Sequence, residues 1–455
     1  MKKICIIGGG TYGSYLANAI SEKYKDCKIQ ILEVGNENIK TEDEIGYISN
    51  NIKGSYNGAK RGRYFGYGGA SAMWGGQLLF FTKNDFSSAD EMNYITDINI
   101  RYKDLVLDRF FKTRPDTQEY LLDNGVFIKK GIWLKFNQRN MFQYFKIIEN
   151  KKIEVLPNCR VIKLNYKNDE INSVTVLINN IQSEIKADLF YLTCGALEGV
   201  RVLAESGLTD INESTQSFSD HVSVRSFKII KNNPFIKGHD FTFKLLNGSL
   251  ITTRIVGEIE NISYFVHPIY NEDFVFFQFI KNLIFKRVFN IKLLVTAIKQ
   301  FFHLFPFAFN YLLLSKLYFI KPWYLNIDIE LDDNTNSINL SDNKDSFNQS
   351  SIDIKFEVPK QTLSKIVEIK SIIRKMLNDS NIEFEELNAD PSSIKLEDVY
   401  HPYKLFSKSK SFFENHHPKN NLFIFNTGLL NRSGGINPTA TLFCLIENHV
   451  EELNL

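Results

Sequence analysis

The apolar run Lys3-Ile4-Cys5-Ile6-Ile7 breaks into Gly8-Gly9-Gly10-Thr11-Tyr12-Gly13, and this turn constrains the fold more than any other stretch. A helical pattern over residues 14–23 follows, then the strand-like Ile29-Gln30-Ile31-Leu32 and Glu33. Strand, Gly-x-Gly-x-x-Gly, helix, strand and acid stand in the register of a dinucleotide-binding unit. Gly8 permits the tight turn, Gly10 lets backbone approach a pyrophosphate, and Gly13 lets helix pack on strand. The helix start, with Thr11 and Tyr12, offers unpaired N–H groups to phosphate oxygens. Glu33, 20 residues past Gly13, is placed to accept from a ribose hydroxyl and would repel a 2′-phosphate.

The rest of the chain tells what surrounds that unit. Its 455 residues suffice for two or three domains, and a net charge of +2 gives no footprint for nucleic acid. Five scattered cysteines without paired spacing predict neither a disulfide framework nor a metal site. Cys5 and Cys194 fall in core strands as small apolar residues. No leader precedes the first strand, so the cytoplasm is the expected compartment. Residues 54–76 are glycine-rich, and residues 90–150 read as mostly helical with irregular stretches. Alternation at 152–156, 161–166, 173–179 and 183–187 predicts a meander. A buried strand at 188–192 precedes a helix reaching Gly207. Residues 222–275 and 324–357 alternate like an antiparallel sheet, 359–380 is helical, 422–426 is a last strand and 439–452 a last helix. The expected architecture is α/β: a Rossmann-like domain of discontinuous segments, with an inserted α+β domain carrying an antiparallel sheet.

Five places along the chain resemble the glucose–methanol–choline (GMC) oxidoreductases, a family of FAD enzymes. They are the opening fingerprint with Leu32-Glu33-Val34-Gly35; Gly66-Tyr67-Gly68-Gly69-Ala70-Ser71-Ala72-Met73-Trp74-Gly75-Gly76; Thr193-Cys194-Gly195-Ala196 through Ser206-Gly207, with Val200 in place of the family's proline; Ser219-Asp220-His221; and residues 421–425 with Ser433-Gly434-Gly435-Ile436-Asn437-Pro438-Thr439. Within the family the loop at 68–76 is most similar to sugar and gluconate dehydrogenases and pyranose oxidases. The middle of the chain, about 225–390, carries little resemblance.

The resemblance implies FAD as cofactor and a division into residues 1–89 (FAD-binding, first part), 90–145 (helical or irregular, substrate side), 146–224 (FAD-binding, second part), 225–394 (substrate domain) and 395–455 (FAD-binding, third part, with the catalytic residues). Cofactor contacts are expected from the fingerprint residues, from Gly68, Gly69, Ser71, Ala72, Met73 and Trp74, and from Val161, Cys194, Gly195, Asn426, Thr427, Pro438 and Thr439. The large apolar Phe65, Met73 and Trp74 distinguish the glycine-rich loop from a flexible linker. The helix beginning at Thr439 can stabilise negative charge on a reduced flavin. Met73 stands where some relatives attach FAD through a histidine, so binding is expected to be non-covalent.

By the same resemblance, His401 is the expected base and Asn437 its partner. A neutral imidazole accepts the hydroxyl proton and the amide donates to the same oxygen. The family's residues after the histidine are replaced here by Pro402-Tyr403-Lys404-Leu405-Phe406. His416 and His417 are rivals, expected in a solvated turn. The implied function is oxidation of a hydroxyl-bearing carbon, of a sugar or lipid-linked sugar. Redox-neutral epimerisation and a catalytically degenerate FAD-binding protein are the alternatives; the electron acceptor is not specified.

One further stretch stands apart. Residues 274–327 contain no Asp or Glu but hold Lys281, Lys286, Arg287, Lys292, Lys299, Lys316 and Lys321 among Phe, Leu, Ile and Tyr. Ile280, Leu283, Ile284, Val288, Ile291, Leu294, Val295 and Ile298 recur at helical spacing. Such a composition over residues 276–323 suits either an anionic membrane surface, which would make the protein peripheral on the inner face, or helices closing a substrate cavity.

Overall fold

A computed structural model of the chain describes residues 1–86, 90–123, 125–208, 216–230, 235–246, 249–269, 289–299, 322–331, 336–388, 396–405 and 412–454, together with 275, 279, 305, 309 and 312–313. Its centre is a five-stranded parallel sheet in the order Leu422–Ile424, Leu189–Leu192, Lys2–Ile7, Cys27–Leu32, Ile153–Leu156. Ile4, Ile6, Phe190, Tyr191, Ile29 and Ile31 are almost wholly buried, as strands covered on both faces must be. Helix Thr11–Lys23 and helix Thr439–Glu452 pack together through Tyr15 stacked on Phe443 with ring centroids 4.1 Å apart. Segments from both ends of the chain thus build one nucleotide-type layer.

A meander of Cys159–Lys167, Glu170–Ile178 and Ile181–Ile185 follows. Ile153–Leu156, expected as its first strand, instead edges the parallel sheet beside Cys27–Leu32. Helix Asp90–Asp108 is present, but Tyr120–Asp123 and Val126–Trp133 are antiparallel strands of the larger sheet. The reading of 90–150 as mostly helical missed them because Lys129 sits mid-strand in the core. It is 3% exposed, paired with Asp85 and 3.0 Å from Glu119, so an ion cluster replaces the apolar residue that alternation requires.

The large antiparallel sheet runs Phe384–Glu386, His221–Ile229, Trp323–Glu330, Ile262–Ile269, Ser249–Ile259, Val126–Trp133, Gln77–Leu78. Ser337–Lys344 and Ser350–Phe356 belong instead to a four-stranded sheet with Ser49–Gly54 and Gln216–Ser217. On one face of the large sheet Val222, Val224, Leu325, Ile327 and Val266 are buried, and helix Lys360–Asp379 packs against that sheet with Ile366, Ile369 and Ile373 in the core. The other face carries His221, Ser223 and Arg225 opposite Glu330, Asp328 and Asn326. This polar face meets the nucleotide layer where Ser433 N–H donates to Glu330 Oε1 at 3.1 Å. Most of the basic stretch at 276–323 lies outside the described residues.

Candidate active site

The first strand ends at a cleft of about 440 Å3 lined by Gly8, Gly10, Thr11, Tyr12, Glu33, Gly69, Met73, Trp74, Val161, Cys194, Gly195, Thr427 and Thr439 among the residues expected from sequence, and by His401. The glycines shape it by close backbone approach. Gly8 has φ +101°, and a Cβ there would lie 2.6 Å from Cys194 Cα. A Cβ on Gly13 would lie 1.9 Å from Gly8 O, so this residue locks helix to turn from behind rather than lining the cleft. A Cβ on Gly10 would meet nothing nearer than Gly69 Cα at 3.9 Å. The helix begins there with Ser14 N–H donating to Gly10 O at 3.0 Å, leaving the N–H groups of residues 11–13 without intrahelical acceptors.

Glu33 does more than its position after the second strand implies. Its carboxylate accepts from Gly9 N at 2.8 Å and from Gly35 N and Gly66 N at 2.9 Å each, tying the fingerprint turn to the glycine-rich loop. Burial pushes its carboxyl up, and the three amides pull it back. Three donors leave about one lone-pair site for a ribose hydroxyl.

The other expected contacts divide. Ser71 is buried, donates to Gly68 O at 2.6 Å and accepts from Met141 N at 3.1 Å, so it braces the loop. Gly68, at φ +94°, turns against Asn140, where a Cβ would lie 2.2 Å from Oδ1. Ala72 closes the short 3-10 turn Gly69–Ala72 between them. Trp74 Nε1 donates to Arg139 O at 2.8 Å. Pro438 caps the last helix. Asn426 Oδ1 accepts from Gly428 N at 2.9 Å, while its buried Nδ2 has no partner among the described residues. Burial raises the Cys194 thiol, which makes it inert rather than nucleophilic.

His401 is the centre of a hydrogen-bonded chain. Its N–H donates to Asp220 Oδ2 at 3.0 Å, and Asp220 also accepts from Tyr56 Oη at 3.0 Å and His221 N at 2.7 Å. Burial first, then the neighbouring Asp398, pushes the Asp220 carboxyl well up. His401 Nδ1 lies 2.8 Å from His221 Nε2, and His221 Nδ1 lies 2.8 Å from Ser433 Oγ. Ser433 Oγ donates to Gly434 O at 3.1 Å, so it has lone pairs left to accept from His221 Nδ1–H. That tautomer makes His221 Nε2 an acceptor for His401 Nδ1–H. His401 Nε2 is then left as a bare lone pair on a residue that lines the cleft. Burial lowers His401 to about 4 and His221 to about 3, so both rings are neutral at neutral pH. Asp220, His221 and His401 offer ligand atoms within 4.8 Å of one another, but the donors of Tyr56, His221 and His401 already occupy the carboxylate. Tyr400, just before His401, holds φ +68°, a conformation costly for a bulky residue and characteristic of functional segments.

Asn437, expected as the partner of His401, has backbone partners of its own. Its Nδ2 donates to Gln77 O at 3.1 Å and its Oδ1 accepts from Thr439 N at 3.3 Å, leaving one amide hydrogen uncommitted among the described residues. Among the described residues, the side chain hydrogen-bonded to the His401 ring is His221. Its Ser219-Asp220-His221 motif was legible, but its role was not, because 180 residues separate the two rings. Of the rival histidines, His417 is exposed and stacks on Phe423, while His416 is half-buried against Phe425 with ring centroids 4.8 Å apart, not solvated as expected.

Solved structures share this fold across its whole length. Pyridoxine 4-oxidase from Mesorbium loti superposes with TM-score 0.56 at 12% identity over 99% of each chain. A formate oxidase gives 0.55 at 11% identity, covering 99% of this chain and 97% of that one. A variant of Aspergillus oryzae RIB40 formate oxidase made to follow FAD modification gives 0.56 at 11% identity over the same shares. Neither a family model nor a curated protein matches the sequence.

Proposed function

We propose that this chain is an FAD-dependent oxidoreductase of the GMC type that oxidises a hydroxyl-bearing carbon of a sugar or lipid-linked sugar. The observation that carries the reading is His401, a neutral imidazole on the wall of a dinucleotide-type cleft whose Nε2 lone pair is left free by its bond to His221. Bound FAD supplies the hydride acceptor, its N5 atom. The residues present fit it. The fingerprint amides suit the pyrophosphate, Glu33 has a site left for a ribose hydroxyl, and Asn426 Nδ2 is a buried donor without a protein acceptor among the described residues.

The chain's own part is proton removal and positioning. His401 Nε2 takes the substrate hydroxyl proton, and the resulting imidazolium is stabilised through Nδ1–H to His221 Nε2, which Ser433 keeps in the accepting tautomer. The remaining amide hydrogen of Asn437 is the proposed second donor to the substrate oxygen. Met73 lines the cleft with a thioether, which supports non-covalent FAD. A polyhydroxylated substrate is supported by the polar sheet face running away from His221. There Ser223 pairs with Asp328 and Arg225 with Asn326, and the Oδ1 atoms of Asn326 and Asp328 lack donors among the described residues.

The test is anaerobic bleaching of the flavin absorbance by a panel of sugars, nucleotide sugars and polyprenyl-linked sugars. Lasting reduction by one of them supports oxidation. Turnover without lasting reduction would replace it by redox-neutral epimerisation. Colourless protein that takes up no FAD would sink the reading.

A further inference from the structure

The described part of the basic stretch presents an apolar surface to solvent. In helix Ile291–Lys299 the residues Ile291, Val295 and Ile298 are 66%, 49% and 63% exposed, at helical i, i+4, i+7 spacing, while Ala297 is buried against the protein. Asn290 starts this helix, its Oδ1 accepting from Leu293 N at 3.2 Å. Farther on, Phe305, Phe309 and Leu312 repeat the same spacing, and they too are helical and 62%, 59% and 74% exposed. Two successive helical stripes of large apolar side chains in water carry a standing cost that a bound surface would remove.

What fringes them specifies the surface. Lys292 and Lys299 are exposed beside the first stripe, and residues 274–327 contain no acidic residue in a chain whose overall charge is only +2. Apolar stripes edged by lysines, without a carboxylate in the segment, complement a lipid surface bearing negative headgroups. No helix among the described residues is long and apolar enough to cross a bilayer, and apolar stripes fringed by lysines suit the interface plane.

We propose that this segment seats the protein on an anionic bilayer surface, with Ile291, Val295, Ile298, Phe305, Phe309 and Leu312 in the headgroup–acyl boundary and Lys292 and Lys299 against lipid phosphates. Its placement suits a lipid-borne substrate. The segment is inserted between the neighbouring strands Ile262–Ile269 and Trp323–Glu330, leaving from the end at which Ile269 pairs with Tyr324. Glu330, at the other end, touches Ser433 of the catalytic chain. The six-residue step from Tyr324 to Glu330 spans roughly 20 Å of strand, lined by the polar face described above. The docking stands on this surface alone and does not depend on the flavin chemistry.

Purified protein is floated with phosphatidylcholine vesicles that either contain or lack phosphatidylglycerol. It should bind only the anionic vesicles and detach as salt is raised, because screening shortens the reach of the lysines. Lys292→Gln and Lys299→Gln should each weaken partitioning about fivefold. Ile298→Asp and Phe309→Asp, at exposed positions, should abolish it while leaving FAD content and thermal unfolding unchanged. Absence from anionic vesicles at low salt, or binding unaffected by these substitutions, overturns the proposal. So does the finding that Ile298→Asp splits a stable dimer without altering vesicle binding, which assigns the stripes to a second copy of the chain. Vesicle binding and flavin reduction are read separately, so failure of one leaves the other standing.

Discussion

The glycine turn at residues 8–13 and, through His401, the His221–His401 pair open onto the same cleft, yet different physics holds each. The turn is local. Its function is backbone geometry, and its precision comes from residues without side chains meeting Cys194, the Gly8 carbonyl and Gly69. The histidine pair is assembled across 180 residues, from the start of one strand and a loop that a Tyr56–Asp220 bond and Tyr400 in the left-handed region hold in place. The first arrangement fails when a methyl group is added; the second fails when a hydrogen bond is removed.

The largest expected effect separates two glycines of one motif. Gly13→Val should not yield folded protein, because its Cβ would sit 1.9 Å from a backbone oxygen. Gly10→Val should fold, since its Cβ meets nothing closer than 3.9 Å, yet bind no FAD. Circular dichroism and retained yellow colour read the two outcomes. A yellow Gly10→Val protein would break the view that the turn serves a ligand.

Next comes the histidine pair. His401→Ala should keep FAD and slow flavin reduction about 10²–10⁴-fold. His221→Ala should cost roughly tenfold and also move the acid limb of the rate–pH profile to still lower pH, because the His401 imidazolium loses the acceptor that stabilises it. Equal losses with unshifted profiles would show that His221 acts as more than a positioning residue. Because burial lowers His401 to about 4, the wild-type rate should hold through pH 6 and fall only near that value; an acid limb near about 6.5, the unperturbed histidine value, would contradict the buried, neutral pair.

The same shifts set stability. Both folded pKa values lie below the unfolded value, so the unfolded chain binds more protons as pH falls from about 6.5. The contribution of the pair is therefore fully present above that pH and is lost progressively toward pH 4 and pH 3. Denaturant midpoints across this window should show the decline, and His221→Asn should flatten it. The smallest effects are expected at the asparagines. Asn437→Ala should slow reduction roughly tenfold with FAD retained. Asn426→Asp should weaken FAD binding by a few-fold at most, if that amide only donates to the cofactor.

Legibility followed the range of the interactions. Residues 1–33, the helix after Gly195 and the last helix could be read because their signals are periodic or glycine-based over a few residues, and the last helix spans Thr439–Glu452 as expected. Val126–Trp133 could not, because a buried lysine satisfied by Asp85 breaks the pattern of a core strand. Ile153–Leu156 was recognisable as a strand, but which sheet it joins depends on whose backbone lies beside it.

The sequence by itself determined the dinucleotide turn, the acid after the second strand, the discontinuous Rossmann-like plan and the unusual charge of residues 274–327, since each is written in neighbouring residues. Only the tertiary structure decided that Glu33 gathers three glycine amides, that Ser71 braces a loop instead of lining the cleft, and that His401 meets His221 while Asn437 is engaged by Gln77. These are hydrogen bonds between groups far apart in the chain. Their partners are chosen by sheet register and burial, which no local pattern records.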